Sequence, residues 1–215
     1  MTLHEVTDGP VLLDPPDRGA LFVVSGPSGV GKSTLIDALM RRVPGIAFSV
    51  SATTRAPRTG EVDGVHYHFL TPESFEAEIA ADAFLEHADV YGRRYGTLVA
   101  PTQDVLARGG SLLLDIDVQG AAQVRARMPD AVHIFLLPPD RATLEQRLRA
   151  RSTDEEPVIQ RRLAEMDQQL AALGDYDYLV VNDHLPTAAA TFVGIVLAEM
   201  SRRTRREQLV RAWRA

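Results

Sequence analysis

A glycine-rich segment between a short apolar run and a helical pattern constrains this chain more than any other feature. It reads GPSGVGKS from Gly26 to Ser33 and matches the phosphate-binding pattern G-x-x-x-x-G-K-S/T. In such a loop backbone N–H groups surround phosphate oxygens, and the N-terminus of the following helix adds a favourable field. The pattern predicts that Lys32 contacts the β- and γ-phosphates of a nucleoside triphosphate and that the Ser33 hydroxyl ligates Mg²⁺.

Lys32 is also exceptional by composition. Among the 23 lysine and arginine residues of the chain, Lys32 is the sole lysine. A coding bias toward arginine explains the ratio but does not explain the exception. One retained lysine indicates a site where a compact ammonium group fits and a planar guanidinium does not.

Composition excludes several classes of protein. The chain has 215 residues, of which 45% are hydrophobic and 24% charged, so it is neither collagenous nor disordered. Because it has no cysteine, disulfides, cysteine-ligated zinc and a thiol nucleophile are excluded. The net charge of −6 argues against general binding to nucleic acid or to an anionic membrane. Without a signal-peptide pattern or a membrane-spanning apolar run, we expect a cytoplasmic protein.

Apolar runs alternate with helical patterns over most of the chain, which predicts an α/β fold with a parallel sheet flanked by helices on both faces. The predicted core strands are Ala20–Ser25, Ala47–Ser51, Ser111–Ile116, Val132–Leu137 and Tyr178–Val181. The segment at about 50–97 breaks this rhythm and predicts a small inserted α+β lobe. Its predicted elements are an antiparallel strand at Val65–Leu70, a short helix capped by Thr71, and strands at Phe84–Val90 and Tyr95–Leu98.

A second cluster of polar residues indicates a second anion site. It begins at Ser51 and contains Arg55 and Arg58 in a proline-constrained loop, followed by Tyr67. Two arginines three residues apart can converge on one oxyanion, and a tyrosine hydroxyl can add a neutral donor. From the spacing alone, a solvated hairpin with scattered charges is the alternative interpretation.

Six segments, taken together, resemble the guanylate kinase family in their order and spacing. They are GPSGVGKST from Gly26, SATTRAPRTGEVDGVHY from Ser51, Phe84–Glu86, Arg94–Thr97, Leu114–Asp117 and Val181–Asp183. The resemblance covers about residues 19–199. It implies a P-loop core at 19–50 and 98–199, a GMP-binding lobe at about 51–97 and a mobile lid at about 147–162, with a flexible leader at 1–18 and a basic tail at 200–215.

The same resemblance assigns residues to two nucleotide sites. The implied ATP site comprises Gly26, Pro27, Ser28, Gly29, Val30, Gly31, Lys32, Ser33, Thr34 and Asn182. The implied GMP site comprises Ser51, Arg55, Arg58, Glu61, Tyr67, Glu86, Tyr95, Thr97 and Asp117. Guanine presents N1–H and N2–H₂ donors side by side, so an ionised carboxylate such as Glu86 or Asp117 suits it. The Ser51 and Thr97 hydroxyls can donate to O6, and Asp117 is also a candidate to hold Mg²⁺ through water.

An arginine-rich segment matches the lid of the family. Arg147 and Arg151 lie four residues apart and therefore share a helix face. Without the resemblance, such a run of charge predicts a solvated face. With it, Arg147, Arg151 and Arg162 are expected to close over the transferring phosphoryl group and neutralise its oxygens. Ser152 and Pro157 depart from the residues usual in the family, which would stiffen the lid without removing a charged contact.

The implied activity is transfer of the γ-phosphoryl group of Mg·ATP to GMP, giving ADP and GDP, with Lys32 and the lid arginines as catalytic residues. A non-catalytic protein-binding module of this family is the main alternative, but such modules typically lose P-loop or lid residues that this chain keeps. A P-loop GTPase needs another lysine in its N-K-x-D loop, and the chain has none. A kinase for AMP or a pyrimidine nucleotide is a further alternative.

The sequence defines other partners less closely. We expect ATP and GMP as substrates, Mg²⁺ as the cofactor of ATP, and no membrane or specific nucleic-acid partner. The six histidines show no ligand spacing, so no transition-metal site is expected. The tail Ser201–Ala215 carries six arginines against one glutamate and predicts a solvated helix end, with a subunit contact or weak nucleic-acid binding as open alternatives. A homo-oligomer is compatible with the sequence.

Overall fold

The computed structural model describes residues 9–14, 16–90, 92–150 and 156–214, and its larger sheet has five strands. These strands are β1 (Leu21–Ser25), β2 (Ile46–Phe48), β7 (Ser111–Asp115), β8 (Val132–Leu137) and β9 (Tyr178–Val181). Their order is β2-β7-β1-β8-β9, and every neighbouring pair is parallel. The predicted parallel sheet is therefore confirmed, with the P-loop strand β1 at its centre.

Helices cover both faces of this sheet. They are α1 (Lys32–Arg42) and α7 (Leu185–Met200) on one face, and α3 (Val99–Ala107) and α4 (Val118–Arg127) on the other. Phe22 and Val24 of β1 point into the first layer, whereas Leu21 and Val23 point into the second. Because both faces are buried, β1 has a continuous apolar run instead of an alternating one.

A second sheet of four strands lies within residues 52–98. Its strands are β3 (Ala52–Thr53), β4 (His68–Phe69), β5 (Phe84–Val90) and β6 (Arg93–Leu98), in the order β4-β3-β6-β5. Helix α2 (Pro72–Ala80) packs on it through Phe75, whose ring stacks on that of Phe84 at 4.4 Å. The predicted cap is confirmed, because the Thr71 Oγ1 accepts from the Ser74 N–H at 3.1 Å.

The antiparallel strand predicted at Val65–Leu70 is wrong. Only the two residues of β4 join the sheet, and they pair with β3 in parallel. The residues before them form a local turn, in which the Gly64 N–H donates to the Tyr67 carbonyl at 2.8 Å. The Asp63 carboxylate closes this turn by accepting from the Phe69 N–H at 2.8 Å. The alternating hydrophobic pattern that predicted a strand therefore lies mostly in a turn, whose backbone groups are hydrogen-bonded within the turn itself.

Two helices pack as a pair beyond β8. They are α5 (Arg141–Ala150), which the Asp140 carboxylate caps by accepting from the Thr143 N–H at 2.7 Å, and α6 (Glu156–Leu170). Leu144 and Leu148 form a small core with apolar residues of α6. Arg149 of α5 joins the two helices through Glu156 of α6, and it also contacts Glu145 on its own helix. The predicted lid falls on this pair, and residues 151–155 lie outside the described residues.

The two ends of the described chain contact each other, while most residues of the tail at 201–214 are exposed. The Asp17 N–H donates to the Arg205 carbonyl at 2.8 Å, and the Asp17 carboxylate accepts from the Gln208 N–H at 2.5 Å. Gln208 belongs to the short helix α8 (Glu207–Ala212). Arg205 is buried and donates to the Gly19 carbonyl at 2.8 Å. In the described part of the chain, every helix is too short or too polar to cross a membrane.

Candidate active site

The P-loop turns between the end of β1 and the first residue of α1. Gly31 caps α1 in a left-handed conformation with φ 91°, which a side chain rarely adopts. A Cβ on Gly31 would also lie 2.5 Å from the Asn182 Nδ2. The predicted P-loop residues are brought together in this turn, with Pro27 and Val30 buried and the Ser28, Ser33 and Thr34 side chains exposed. Gly26 and Gly29 complete the turn with positive φ.

Lys32 forms an ion pair with an acid that the sequence interpretation left without a role. Its Nζ lies 2.5 Å from the Asp115 Oδ1, and both side chains are partly buried. Asp115 is the last residue of β7, which pairs directly with β1. Because carboxyl ends of parallel strands meet at one edge of a sheet, this acid lies beside the P-loop. An acid as the last residue of an otherwise apolar, buried strand is the signal that could have found it.

Asn182 connects the P-loop to helix α5. This residue follows β9 and is buried, with an exposed fraction of 6%. Its Nδ2 donates to the Val30 carbonyl of the P-loop at 2.8 Å. Its backbone carbonyl accepts from the Arg147 Nη2 at 3.0 Å. The structure thus brings Arg147 and Asn182, two predicted site residues from distant segments, to the same side of the P-loop.

A cavity of about 410 Å³ lies between the carboxyl edge of the larger sheet and the smaller sheet. Among the predicted GMP-site residues, Ser51, Tyr67 and Thr97 line it. Asp115 and His66 line it as well, and neither was predicted to do so. The cavity therefore opens between the acid that pairs with Lys32 and the residues of the second anion cluster.

The predicted anion cluster is held by a carboxylate. Glu61 accepts from Arg55 through both oxygens, at 2.8 and 2.9 Å, and from the Arg58 N–H at 2.6 Å. These bonds, above all those from Arg55, lower the pKa of Glu61 to about 2. The Glu61 hydrogen bonds raise the pKa of Arg55 above its ordinary value. The Arg55 guanidinium lies 5.3 Å from the ring centre of Tyr67, so a fixed cation packs on an aromatic ring that lines the cavity.

The other residues of this cluster differ in their exposure and in their position relative to the cavity. Tyr95 packs edge-on against Tyr67, with ring centres 6.1 Å apart. The Arg58 side chain is exposed, although its backbone is fixed by Glu61. Glu61 lies behind Arg55 and does not line the cavity. The Tyr67 ring therefore lines the cavity, Arg55 and Tyr95 pack against that ring, and Glu61 holds Arg55.

Glu86 is a buried carboxylate beside the cavity. Its exposed fraction is 6%, and its Oε1 accepts from the Thr97 hydroxyl at 2.7 Å across the β5–β6 pair. Burial raises the pKa of Glu86, the Thr97 hydrogen bond opposes that rise, and the nearby Asp117 adds to it. A hydroxyl has one proton, so Thr97 cannot donate to a ligand while it donates to Glu86.

Asp117 occupies a position with a structural task. It is the N-cap of α4, and its Oδ1 accepts from the Gln119 and Gly120 N–H groups at 3.0 and 2.8 Å. One carboxylate oxygen is therefore committed to the helix. Within the described residues, no cluster of three histidine, aspartate or glutamate side chains could hold a metal ion.

The three predicted lid arginines differ in their placement. Arg147 is half-buried on α5 and hydrogen-bonded beside the P-loop. Arg162 is half-buried on α6. Arg151 lies outside the described residues. The structure thus brings Arg147 to the phosphate side of the site.

The P-loop at the carboxyl end of the central parallel strand, followed directly by Lys32 on α1, defines a P-loop nucleotide-binding protein. The family model described as guanylate kinase matches residues 18–199. A guanylate kinase of Koribacter versatilis (strain Ellin345) is 50% identical over 189 residues, which are 86% of this chain and 81% of that protein. One of Salmonella choleraesuis (strain SC-B67) is 48% identical over 193 residues, or 89% and 93% of the two chains.

A solved structure gives the same result. The crystal structure of guanylate kinase from Anaplasma phagocytophilum superposes with a TM-score of 0.64 at 32% identity, covering 88% of this chain and 90% of that one. The chain belongs to the guanylate kinase family.

Proposed function

We propose that this protein transfers the γ-phosphoryl group of ATP to GMP, producing ADP and GDP. The observation that carries the proposal is one cavity lined on one side by Asp115, which pairs with Lys32 of the P-loop, and on the other by Tyr67 and Thr97. These two residues contact Arg55 and Glu86 in turn. Such a cavity can bind a second nucleotide next to the phosphates of the first. Family membership and the names of relatives at high coverage support the same activity.

The acceptor site divides into a phosphate end and a base end. Arg55, fixed by Glu61 and packed near Tyr67, supplies a cation for the GMP phosphate, with Arg58 and Tyr95 beside it. Glu86 accepts hydrogen bonds from guanine N1–H and N2–H₂ in its ionised form.

The base-end assignment also refines the two proposed hydroxyl contacts. Because the Thr97 proton is used by Glu86, Thr97 positions that carboxylate. Ser51, which lines the cavity, remains the hydroxyl that donates to O6. Asp117 supports this end of the site through the start of α4.

Mg²⁺ fits the donor groups that stand at the P-loop. Mg²⁺ prefers oxygen ligands and keeps several waters, so it does not need a cage of three protein carboxylates. The Ser33 hydroxyl is exposed at the first turn of α1, and the Asp115 and Asp117 carboxylates lie at the end of β7. We propose that Ser33 would hold the ion, with Asp117 acting through water. When bound with ATP, the ion supplies positive charge to the phosphates.

The reaction needs alignment and positive charge. A phosphate oxygen of GMP, already ionised near neutral pH, forms a bond to the γ-phosphorus of ATP while the bond to the β–γ bridging oxygen breaks and ADP leaves. No strong general base is needed. Lys32 and Arg147 supply fixed positive charge to the transferring group, with Arg162 and Arg151 as the other proposed lid cations. Closure must exclude water, since otherwise ATP is hydrolysed.

The retained machinery favours catalysis over a role as a protein-binding module. The P-loop sequence is complete, and Lys32 forms an ion pair with Asp115. Arg147 donates a hydrogen bond to the Asn182 carbonyl beside the P-loop. A module that binds only a protein has no need of these partly buried cations beside a complete P-loop.

Product analysis tests the proposal. Purified protein is incubated with Mg·ATP and GMP, and nucleotides are separated by anion-exchange chromatography. We expect ADP and GDP to form in equal amounts, and ATP to be consumed far more slowly when GMP is omitted. ADP formation that does not depend on GMP would indicate an ATPase and refute the proposal.

A further inference from the structure

One face of helix α4 lies directly behind the proposed base-reading residue. Gly120, Gln123 and Arg127 are three and four residues apart and therefore share this face. A Cβ on Gly120 would lie 3.2 Å from the Glu86 Oε2, so the helix backbone approaches the carboxylate closely. The next residue of β5, His87, is contacted by the Gln123 side chain. Helix α4 thus contacts β5 where β5 carries Glu86.

Gln123 binds the backbone of β5 through both ends of its amide. Its Oε1 accepts from the His87 N–H at 3.1 Å, and its Nε2 donates to the His87 carbonyl at 3.2 Å. Strand β5 is at the edge of its sheet, so these backbone groups point away from β6. The amide makes both hydrogen bonds that another strand would make to this residue. The Gln123 amide therefore fixes the position of β5 along the axis of α4.

A second polar contact lies farther along the same face. Arg127 donates to the Asp82 carbonyl at 3.4 Å and contacts the Asp82 carboxylate. Asp82 precedes β5 and adopts a left-handed conformation with φ 56°. This contact joins α4 to the residues that precede β5, four residues before Glu86, so it offers a control contact on the same helix face.

We infer that Gln123 is a positioning residue for base recognition. Helix α4 starts at Asp117, two residues after the acid that pairs with Lys32. Gln123 links this helix to β5, so the carboxylate of Glu86 is held at a fixed distance from the phosphate-binding end of the cavity. The inference deepens the proposed function and rests on it for the choice of guanine as the base.

The test compares base selectivity in three variants. Gln123→Leu removes both hydrogen bonds at similar volume, Gln123→Glu keeps only the acceptor, and Arg127→Leu removes the control contact. The ratio of kcat/KM for GMP to that for AMP is measured, together with KM for ATP and the calorimetric Kd of GMP. We expect Gln123→Leu to lower the ratio and weaken GMP binding by about tenfold, with KM for ATP within about twofold of wild type.

The two companion variants separate positioning from general weakening. Gln123→Glu should show an intermediate loss of selectivity, and Arg127→Leu should keep the ratio within about twofold. A high wild-type ratio that persists in Gln123→Leu overturns the inference alone. An equal loss in Arg127→Leu also overturns it, because the effect would then come from loosening of the lobe. A wild-type ratio near one contradicts the proposed function as well. If Gln123→Leu does not fold, Gln123→Glu supplies the comparison.

Discussion

Exchange of the buried Glu86 carboxylate for an amide probes the base end of the proposed site with little change in shape. In Glu86→Gln the side chain keeps one acceptor oxygen, and the Thr97 hydroxyl can still donate to it. The other oxygen becomes an NH₂ group that faces a guanine N–H donor. A hydrogen bond to a charged group contributes about 1.5–3 kcal/mol, and the replaced oxygen is buried, so we expect a loss near the upper value. A loss of about 3 kcal/mol lowers kcat/KM for GMP about 150-fold.

The assay measures kcat/KM for GMP and for AMP by coupling ADP formation to NADH oxidation. Adenine has no N1–H and no 2-amino group, so AMP should lose less than about threefold in Glu86→Gln. Glu73→Gln is the matched control, because Glu73 is exposed on α2 of the same lobe and a glutamine suits its position near the helix start. If GMP and AMP decline equally in Glu86→Gln, the carboxylate does not read the base, and Asp117 becomes the next candidate.

Four further outcomes follow from the described contacts. Lys32→Met should fold, as checked by circular dichroism, and lose most of its turnover, because the β- and γ-phosphates lose their cation. Arg147→Ala should lower kcat about 100-fold with a smaller change in KM for GMP, and a change in KM alone would place it in the acceptor site. Because burial raises the pKa of Glu86, GMP affinity measured by calorimetry should fall with decreasing pH more steeply in wild type than in Glu86→Gln, whose amide does not titrate. Glu61→Gln should raise KM for GMP while kcat is kept, since Arg55 loses its bidentate partner.

The central strands β1, β7 and β8 could be predicted because each is buried on both faces and is therefore a continuous apolar run. The bounds of β8 and of the edge strand β9 coincide with those expected from the sequence. Strand β2 is shorter than expected, with Ala47 and Phe48 exposed at the sheet edge. Helix α3 was not predicted, because Pro101 and a weak polar face obscure its pattern.

The local parts of the site could also be predicted, whereas its long-range contacts could not. The P-loop is one contiguous segment, and the positions of its glycines predict its conformation directly. The Lys32–Asp115 pair depends on β1 and β7 being neighbours, and the Gln123–His87 contact joins residues 36 apart. Both contacts join residues that are far apart in the sequence, so no local periodic pattern predicts them. The roles expected for Glu86, Asn182 and the lid arginines stay predictions until they are measured.

Acceptor choice tests the central claim most directly. ADP formation from Mg·ATP is followed with GMP, AMP, CMP and UMP, each at the same series of concentrations, in one coupled assay. The proposed site predicts rapid, saturable ADP formation with GMP and a kcat/KM lower by about 10⁴-fold for AMP, because AMP leaves the Glu86 carboxylate buried without donors. Equal rates with all four acceptors, or a preference for AMP or a pyrimidine nucleotide, would contradict the account.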